Sequence, residues 1–438
     1  MRHGCTSFQN LTRRDFFRIG GVGLFGLSTP SLLEARAANP RARQMIILWL
    51  GGGPPHIDMF DMKPDAPAEV RGPWKPIGTK LQGLQVSELM PNLARSADKY
   101  TVLRSVNAKG YPDEGQHGAG AAWSWLTANR RDRRSNSPKF PAYGSVLAKV
   151  RPGPADLPGF VTFGDIGRES YLGPAYEPIE FKLDDPADRL TTMLAPAPMD
   201  ITALDRRTEL LKSAEQHLRR LDKEEPLIAG LDRFQQQAVD LLRSPKLREA
   251  IDLKREPTKS AERYGKGAQC RRVLAARRLI EAGVPCVHVQ FHGFIGWDFH
   301  GGQGTFAKAV QLISEFDTAC AALLEDLEQR GLLDSTIVYA GGEMGRSPKP
   351  ESTVGSRNHW NDAQSILVAG GGFRRGCVVG ATDKNGAYVT DKHYTVASLG
   401  RTFYELLGID ADQELYTPDK RPVKIVGEDA PLIQEALA

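Results

Sequence analysis

Three short stretches in the last third of the chain carry acids and imidazoles just beside apolar runs: Gly296-Trp297-Asp298-Phe299-His300, Gly342-Glu343-Met344-Gly345-Arg346 and Arg357-Asn358-His359-Trp360. In an extended segment, side chains at i and i+2 point to the same side, so Asp298 and His300 can reach one cation. The bland alternative is an Asp and a His in a polar loop. Glu343 is bracketed by Gly341, Gly342 and Gly345, and glycines let the backbone approach a ligand closely. Arg346 behind it could neutralise an anionic substrate through its two-pronged donors, or form a solvated salt bridge in a strand-to-loop turn. His359 stands in a polar loop between two apolar runs, where a lone His is either structural or a ligand.

Two further groups lie nearer the N-terminus. The turn after the first apolar run holds His56, Asp58 and Asp61, and Asp58 is suited to metal binding, to capping the next element or to solvating the turn. The stretch Tyr111-Pro112-Asp113-Glu114-Gly115-Gln116-His117-Gly118-Ala119-Gly120 opens onto what reads as a small-residue helix. Amide donors at a helix start favour anions, which makes His117 a candidate contact for a phosphate or sulfate group; the alternative is a His in a flexible Gly-rich loop.

Elements that would position these residues can be read from the pattern. Gln44 to Leu50 is a largely apolar run ending in Gly51-Gly52-Gly53-Pro54-Pro55, as in a central parallel strand followed by a functional turn. Further strands are expected at Thr101 to Val106, Gly159 to Phe163, Val284 to Phe291, Thr336 to Ala340, Gln364 to Ala369 and Cys377 to Gly380. Helical periodicity marks Ile201 to Lys254 as an antiparallel pair, then Gln269 to Ala282 ending at Gly283, and Thr305 to Arg330 with Gly331 as its C-terminal stop. A last helix spans Thr395 to Leu407, with Thr395 as N-cap. Between Asp132 and Pro198 the chain is rich in Pro, Gly and charge and reads as a loop-rich insertion or cap. Strands and helices in this order imply an α/β fold with a doubly wound, mostly parallel sheet sandwiched between helices.

The first 37 residues read as an export signal. Thr12-Arg13-Arg14-Asp15-Phe16-Phe17-Arg18 is a twin-arginine pattern, followed by the apolar Ile19 to Leu33 and the small-residue site Ala35-Arg36-Ala37. A membrane anchor needs about 20 apolar residues, and Gly20, Gly21, Gly23 and Gly26 dilute a shorter stretch. Cleavage after Ala37 would leave a protein without an integral membrane segment, in the periplasm or outside the cell. Of 438 residues, 41% are hydrophobic and 25% charged, which places the chain among globular proteins. The net charge is +4, but the signal holds five Lys or Arg against two Asp or Glu, a surplus of three that leaves the remainder at +1. Nothing in that balance argues for nucleic acid. Cys270, Cys286, Cys320 and Cys377 remain after the signal, too widely spaced for a Cys-x-x-Cys metal motif and as well suited to buried thiols as to bridges.

With those residues in view, the chain resembles the bacterial family labelled domain of unknown function 1501, grouped with the alkaline phosphatase and sulfatase superfamily. The matching landmarks are Gly51 to Asp61, Gly296 to His300, Gly342 to Pro348, His359-Trp360, Leu367 to Gly372 and Gly380-Ala381-Thr382-Asp383. The resemblance implies an alkaline phosphatase-like α/β domain over residues 38–438, with an insertion at about 130–255. It also implies metal ligands at strand ends. Asp298, His300 and His359 would hold one divalent cation, zinc before calcium, magnesium or manganese. Asp58 and Glu343 would complete that set or hold a second ion. Where the superfamily often shows Asp-His-Gly, this chain has Glu343-Met344-Gly345, so a two-metal site lacks its usual His. No cysteine after the signal sits in the Cys/Ser-x-Pro-x-Arg motif of common sulfatases, and Ser105 lies only a little upstream of His117. The expected function is an exported metal-dependent hydrolase of phosphate or sulfate esters. Its substrate would be a small anionic ester or a sulfated or phosphorylated glycan, with His117 and Arg346 holding the anion. The alternative is a non-catalytic periplasmic or surface binding protein with a degenerate phosphatase-like site.

Overall fold

The computed structural model of the chain describes residues 40–111, 119–130, 140–164, 167–181, 244–293, 295–298, 300, 306–351 and 356–438. The expected export signal, His117 and most of the expected helical pair lie outside the described residues.

The run at the centre of the sequence argument forms β1 (Gln44–Trp49), and every residue after Gln44 in it is buried. Its side chains divide between two cores. Ile46, Leu48 and Leu50 enter one, and Met45, Ile47 and Trp49 the other. A strand that is apolar on both faces is stable only when both are covered, which fixes β1 in the middle of the sheet. Around it stand β2 (Tyr100–Leu103), β3 (Phe160–Phe163), β4 (Ile179–Glu180), β5 (Cys286–Gln290) and β6 (Thr336–Gly341). A hairpin of β7 (Gly345–Pro350) and β8 (Arg357–Trp360) follows, then β9 (Ile366–Ala369) and β10 (Cys377–Val379). Among the described residues the main sheet has eight strands in the order β10-β2-β9-β6-β1-β5-β3-β4. All its pairings are parallel except those of β9, which runs antiparallel to both β6 and β2.

Helices cover both faces. On one lie α3 (Ala268–Ala282) and α4 (Phe306–Gln329), which bring Val273, Leu279, Ile313, Phe316 and Leu323 against Ile46 and Leu48. On the other lie α1 (Ala119–Thr127), α2 (Tyr143–Val150) and α5 (Val396–Leu406), with Trp125, Val146, Leu399 and Phe403 against Ile47 and Trp49. Each such side chain, fully buried, contributes about 1.5–3 kcal/mol, so sandwiching the sheet is what holds its centre in place. The expected stops and caps form as well: Gly283 ends α3 in the left-handed region at φ 112°, and the Thr395 hydroxyl accepts from the Ser398 amide at the start of α5.

Within the stretch read as loop-rich, the described residues hold α2, β3 and β4, and the two short strands complete one edge of the sheet. Cys270, Cys286 and Cys320 are buried free thiols, and Cys377 is free and partly buried. No described helix is long and apolar enough to cross a membrane.

Candidate functional site

The register explains why three distant loops meet. β5, β1 and β6 are adjacent and parallel, and Trp49 stands level with Gln290 on one side and Gly341 on the other. Their chains therefore leave the sheet at the same height. The loops after all three enter the crevice beyond the carboxyl ends of the strands, where α/β sheets gather ligands. The backbone ties them: the Phe291 amide donates to Trp49 O at 2.8 Å, the Leu50 amide to Gly341 O at 2.9 Å, and the Trp297 amide to Gly51 O at 2.9 Å.

In this crevice Asp298, His300 and His359 converge, each offering one ligand atom within 4.8 Å of the others. His300 Nδ1 lies 2.5 Å from Asp298 Oδ1 and 3.1 Å from His359 Nε2, and His359 Nε2 lies 3.7 Å from Asp298 Oδ1. Three ligand atoms about 2.0–2.1 Å from a tetrahedral zinc ion stand about 3.3 Å apart, and this triangle brackets that spacing. The donor set, two imidazole nitrogens and a carboxylate oxygen, suits zinc, and three protein ligands would leave a coordination position for substrate. Side-chain exposure grades from 11% at Asp298 through 19% at His359 to 38% at His300, so the cluster opens to solvent on the His300 side.

His359 arrives on β8. Opposite it across the hairpin sits Arg346 of β7, so both side chains point to the same face, toward Asp298. Arg346 differs from its expected role as an anion contact. Its side chain is fully buried, and all three guanidinium nitrogens are engaged within the protein. Nε donates to Gly53 O at 2.8 Å, Nη1 to Arg357 O at 3.1 Å, and Nη2 to Gly52 O, to Trp297 O at 3.1 Å and to Asp298 Oδ1 at 2.9 Å.

Asp58 and Glu343 are not brought into the cluster. Asp58 is nearly inaccessible and forms a two-pronged pair with Arg357: Nε donates to Oδ2 at 2.7 Å and Nη2 to Oδ1 at 2.8 Å. Glu343 is buried, with its two oxygens 2.9 and 3.1 Å from the Gly52 amide. Met344, where a second-metal His was wanting, packs against the turn; a Cβ built on Gly53 would lie 2.7 Å from its Cγ. The other groups in the first turn are structural as well. His56 donates from Nε2 to Gly386 O at 2.8 Å and accepts the Arg346 amide at Nδ1, and burial pushes its imidazole below the usual value. Burial alone would raise the Asp61 carboxyl, but Arg104 and Lys63, each 3.1 Å away, more than offset it and hold it low.

Sequence reasoning passed over Arg357 as the partner of Asp58. One signal was present: Arg357 lies two residues before His359 in one extended segment, so it shares the inward face. His292, by contrast, turns away to Glu315, 2.9 Å from Nε2.

A family model described as "Protein of unknown function (DUF1501)" matches residues 42–437. No curated protein matches the chain. Among solved structures, the C-terminal periplasmic domain of EcEptC from Escherichia coli in complex with Zn is 10% identical at a TM-score of 0.38, covering 90% of this chain and 89% of that one. The PsFucS1 sulfatase from Pseudoalteromonas sp. is 12% identical at 0.37, covering 91% and 72%. The lipoteichoic acid synthase LtaP from Listeria monocytogenes is 10% identical at 0.36, covering 85% and 74%.

Proposed function

The chain belongs to the DUF1501 family, and on that premise we propose that it is an exported, metal-dependent hydrolase of phosphate or sulfate esters with one cation per chain. The observation that carries this reading is the triangle of Asp298 Oδ1, His300 Nδ1 and His359 Nε2 at separations of 2.5, 3.1 and 3.7 Å. Those three residues would hold the ion. A divalent cation at such a site supplies Lewis acidity toward a phosphoryl or sulfuryl oxygen. The chain's own residues do the rest of the positioning: Asp298 brings the single anionic ligand, and His300, at the open side, faces the position an ester would occupy.

The partners of the remaining acids support one ion rather than two. Asp58 is paired with Arg357, and Glu343 accepts from the Gly52 amide. Export rests on the twin-arginine pattern and the small-residue site at Ala35 to Ala37. A small anionic ester or a sulfated or phosphorylated glycan remains the expected substrate class. The same partners for Asp58 and Glu343, together with the internal hydrogen bonds of Arg346, favour the second reading, a non-catalytic exported binding protein that keeps the metal cluster.

Purified protein should contain about one divalent ion per chain, with zinc expected first from the donor set. After dialysis His359→Ala should retain less than about a tenth of it, since loss of one of three protein ligands removes the closure of the site. Metal content by elemental analysis checks this, and undiminished metal in His359→Ala rejects the site. Turnover of aryl phosphates or aryl sulfates by the metal-bound protein then separates the hydrolase from the binding protein, which would leave both esters intact.

A further inference from the structure

We propose that Glu343 and Arg346 are positioning residues that set the geometry of Asp298 through the Gly52–Gly53 turn, neither of them touching the metal or the substrate. This rests on the reading of the Asp298, His300 and His359 cluster as a metal site.

Both residues come from the one short segment that leaves β6, and together they grip Gly52 at both polar groups of its backbone. Glu343 takes the Gly52 amide at 2.9 and 3.1 Å, and Arg346 Nη2 donates to the Gly52 carbonyl. Gly52 in turn lies directly on the ligand segment. A Cβ built there would stand 2.5 Å from the Asp298 amide nitrogen and 2.8 Å from the Trp297 carbonyl carbon, and its φ of 110° is in the region that favours glycine. Fixing Gly52 therefore fixes the backbone of Asp298. Arg346 also acts on the ligand directly: Nη2 reaches Trp297 O at 3.1 Å and Asp298 Oδ1 at 2.9 Å, the same oxygen that faces His300 and His359. The guanidinium thus constrains the carboxylate rotamer and counters part of its charge. With a fully buried side chain and an internal acceptor for each of its three nitrogens, it has no face to offer a substrate anion.

Partners that orient a ligand from behind typically matter about 10–100-fold to metal affinity. The test uses the full exported chain and cobalt(II), with affinity measured by chelator competition and the ligand field read from the visible absorption of the bound ion. Arg346→Met should bind cobalt at least about tenfold more weakly and change the visible band, with the far-UV circular dichroism of wild type. Arg346→Lys, which can serve only some of the acceptors, should fall between the two. Glu343→Gln keeps a carbonyl oxygen for the Gly52 amide and should hold affinity within about threefold with the wild-type spectrum, whereas Glu343→Ala should weaken binding. A Glu343→Gln protein that loses cobalt as severely as His359→Ala makes Glu343 a ligand and overturns the inference. So does a folded Arg346→Met or Arg346→Lys protein with unchanged affinity and spectrum. Wild-type protein that binds no cobalt sinks the metal reading and this inference together, while wild type that binds and variants that bind equally sink only the positioning role.

Discussion

Asp58→Ala is expected to cost the metal-free protein about 3–5 kcal/mol, the usual penalty for removing one partner of a buried ion pair. The side chains of Asp58 and Arg357 are 3% and 2% exposed, so the guanidinium left behind has no solvent to turn to. Val70 O at 2.9 Å and Ser347 O at 3.1 Å would still accept from it, but carbonyl dipoles do not neutralise a charge. The loss should reach the site as well. Arg357 and His359 share the inward face of β8, so a guanidinium seeking water pulls on the strand that carries His359. Urea denaturation in the presence of a chelator checks this, because it reports the pair without any metal contribution. An unchanged midpoint in that measurement would falsify the structural role of Asp58. The double variant Asp58→Leu with Arg357→Met should recover much of the loss, since replacing both charges with apolar groups of similar volume is often close to neutral.

This pair also marks where reading the sequence stops. An Asp in the turn after a central strand has the same local signature whether it binds an ion or a guanidinium, and the deciding partner lies 299 residues away. Glu343 and Arg346 were legible as members of the site from the glycines around them, yet their direction depends on the Gly52 turn, which only the level ends of β1 and β6 bring alongside. By contrast Asp298 and His300 were legible as a pair because two-residue spacing in an extended segment is a local property. At the level of fold, β1, β5 and β6 could be read because each lies in a largely apolar run, and the structure buries each of them on both faces. The reversed direction of β9 could not, since Ile366 to Ala369 is apolar and alternates in the same way whichever way it runs. Of the two strands in the segment dense in Pro and Gly, β3 was legible as Gly159 to Phe163, whereas β4 spans two residues, too short for periodicity to separate it from loop.

Acid should weaken the fold through His288, one strand from the centre of the sheet. The residue sits in β5 level with Ile47 and Thr162, is 1% exposed, and its Nε2 has no hydrogen-bond partner among the described residues. Burial pushes its imidazole down to about 3. An unfolded His titrates near 6.5, so below that pH the unfolded chain takes up a proton that the folded chain refuses. Stability is therefore full above about pH 6.5 and falls as the pH drops toward 3, at about 1.4 kcal/mol per unit: about 2 kcal/mol by pH 5 and about 5 by pH 3. His56, also buried and held below its usual value, acts in the same direction, so the wild-type slope exceeds that of one group. Replacing His288 isolates its share. His288→Leu keeps an apolar side chain of similar reach in the same row and removes the proton site, so its loss of stability between pH 7 and pH 5 should be smaller than wild type's by about 2 kcal/mol. Urea midpoints at the two pH values measure the difference, and parallel pH slopes for the two proteins would dismiss His288 as the source. Because β5 runs on through Phe291 into the loop of Asp298 and His300, acid that opens this strand also dismantles the cluster. Under the proposed metal-site reading, the ion should then be lost from wild type at a higher pH than from His288→Leu.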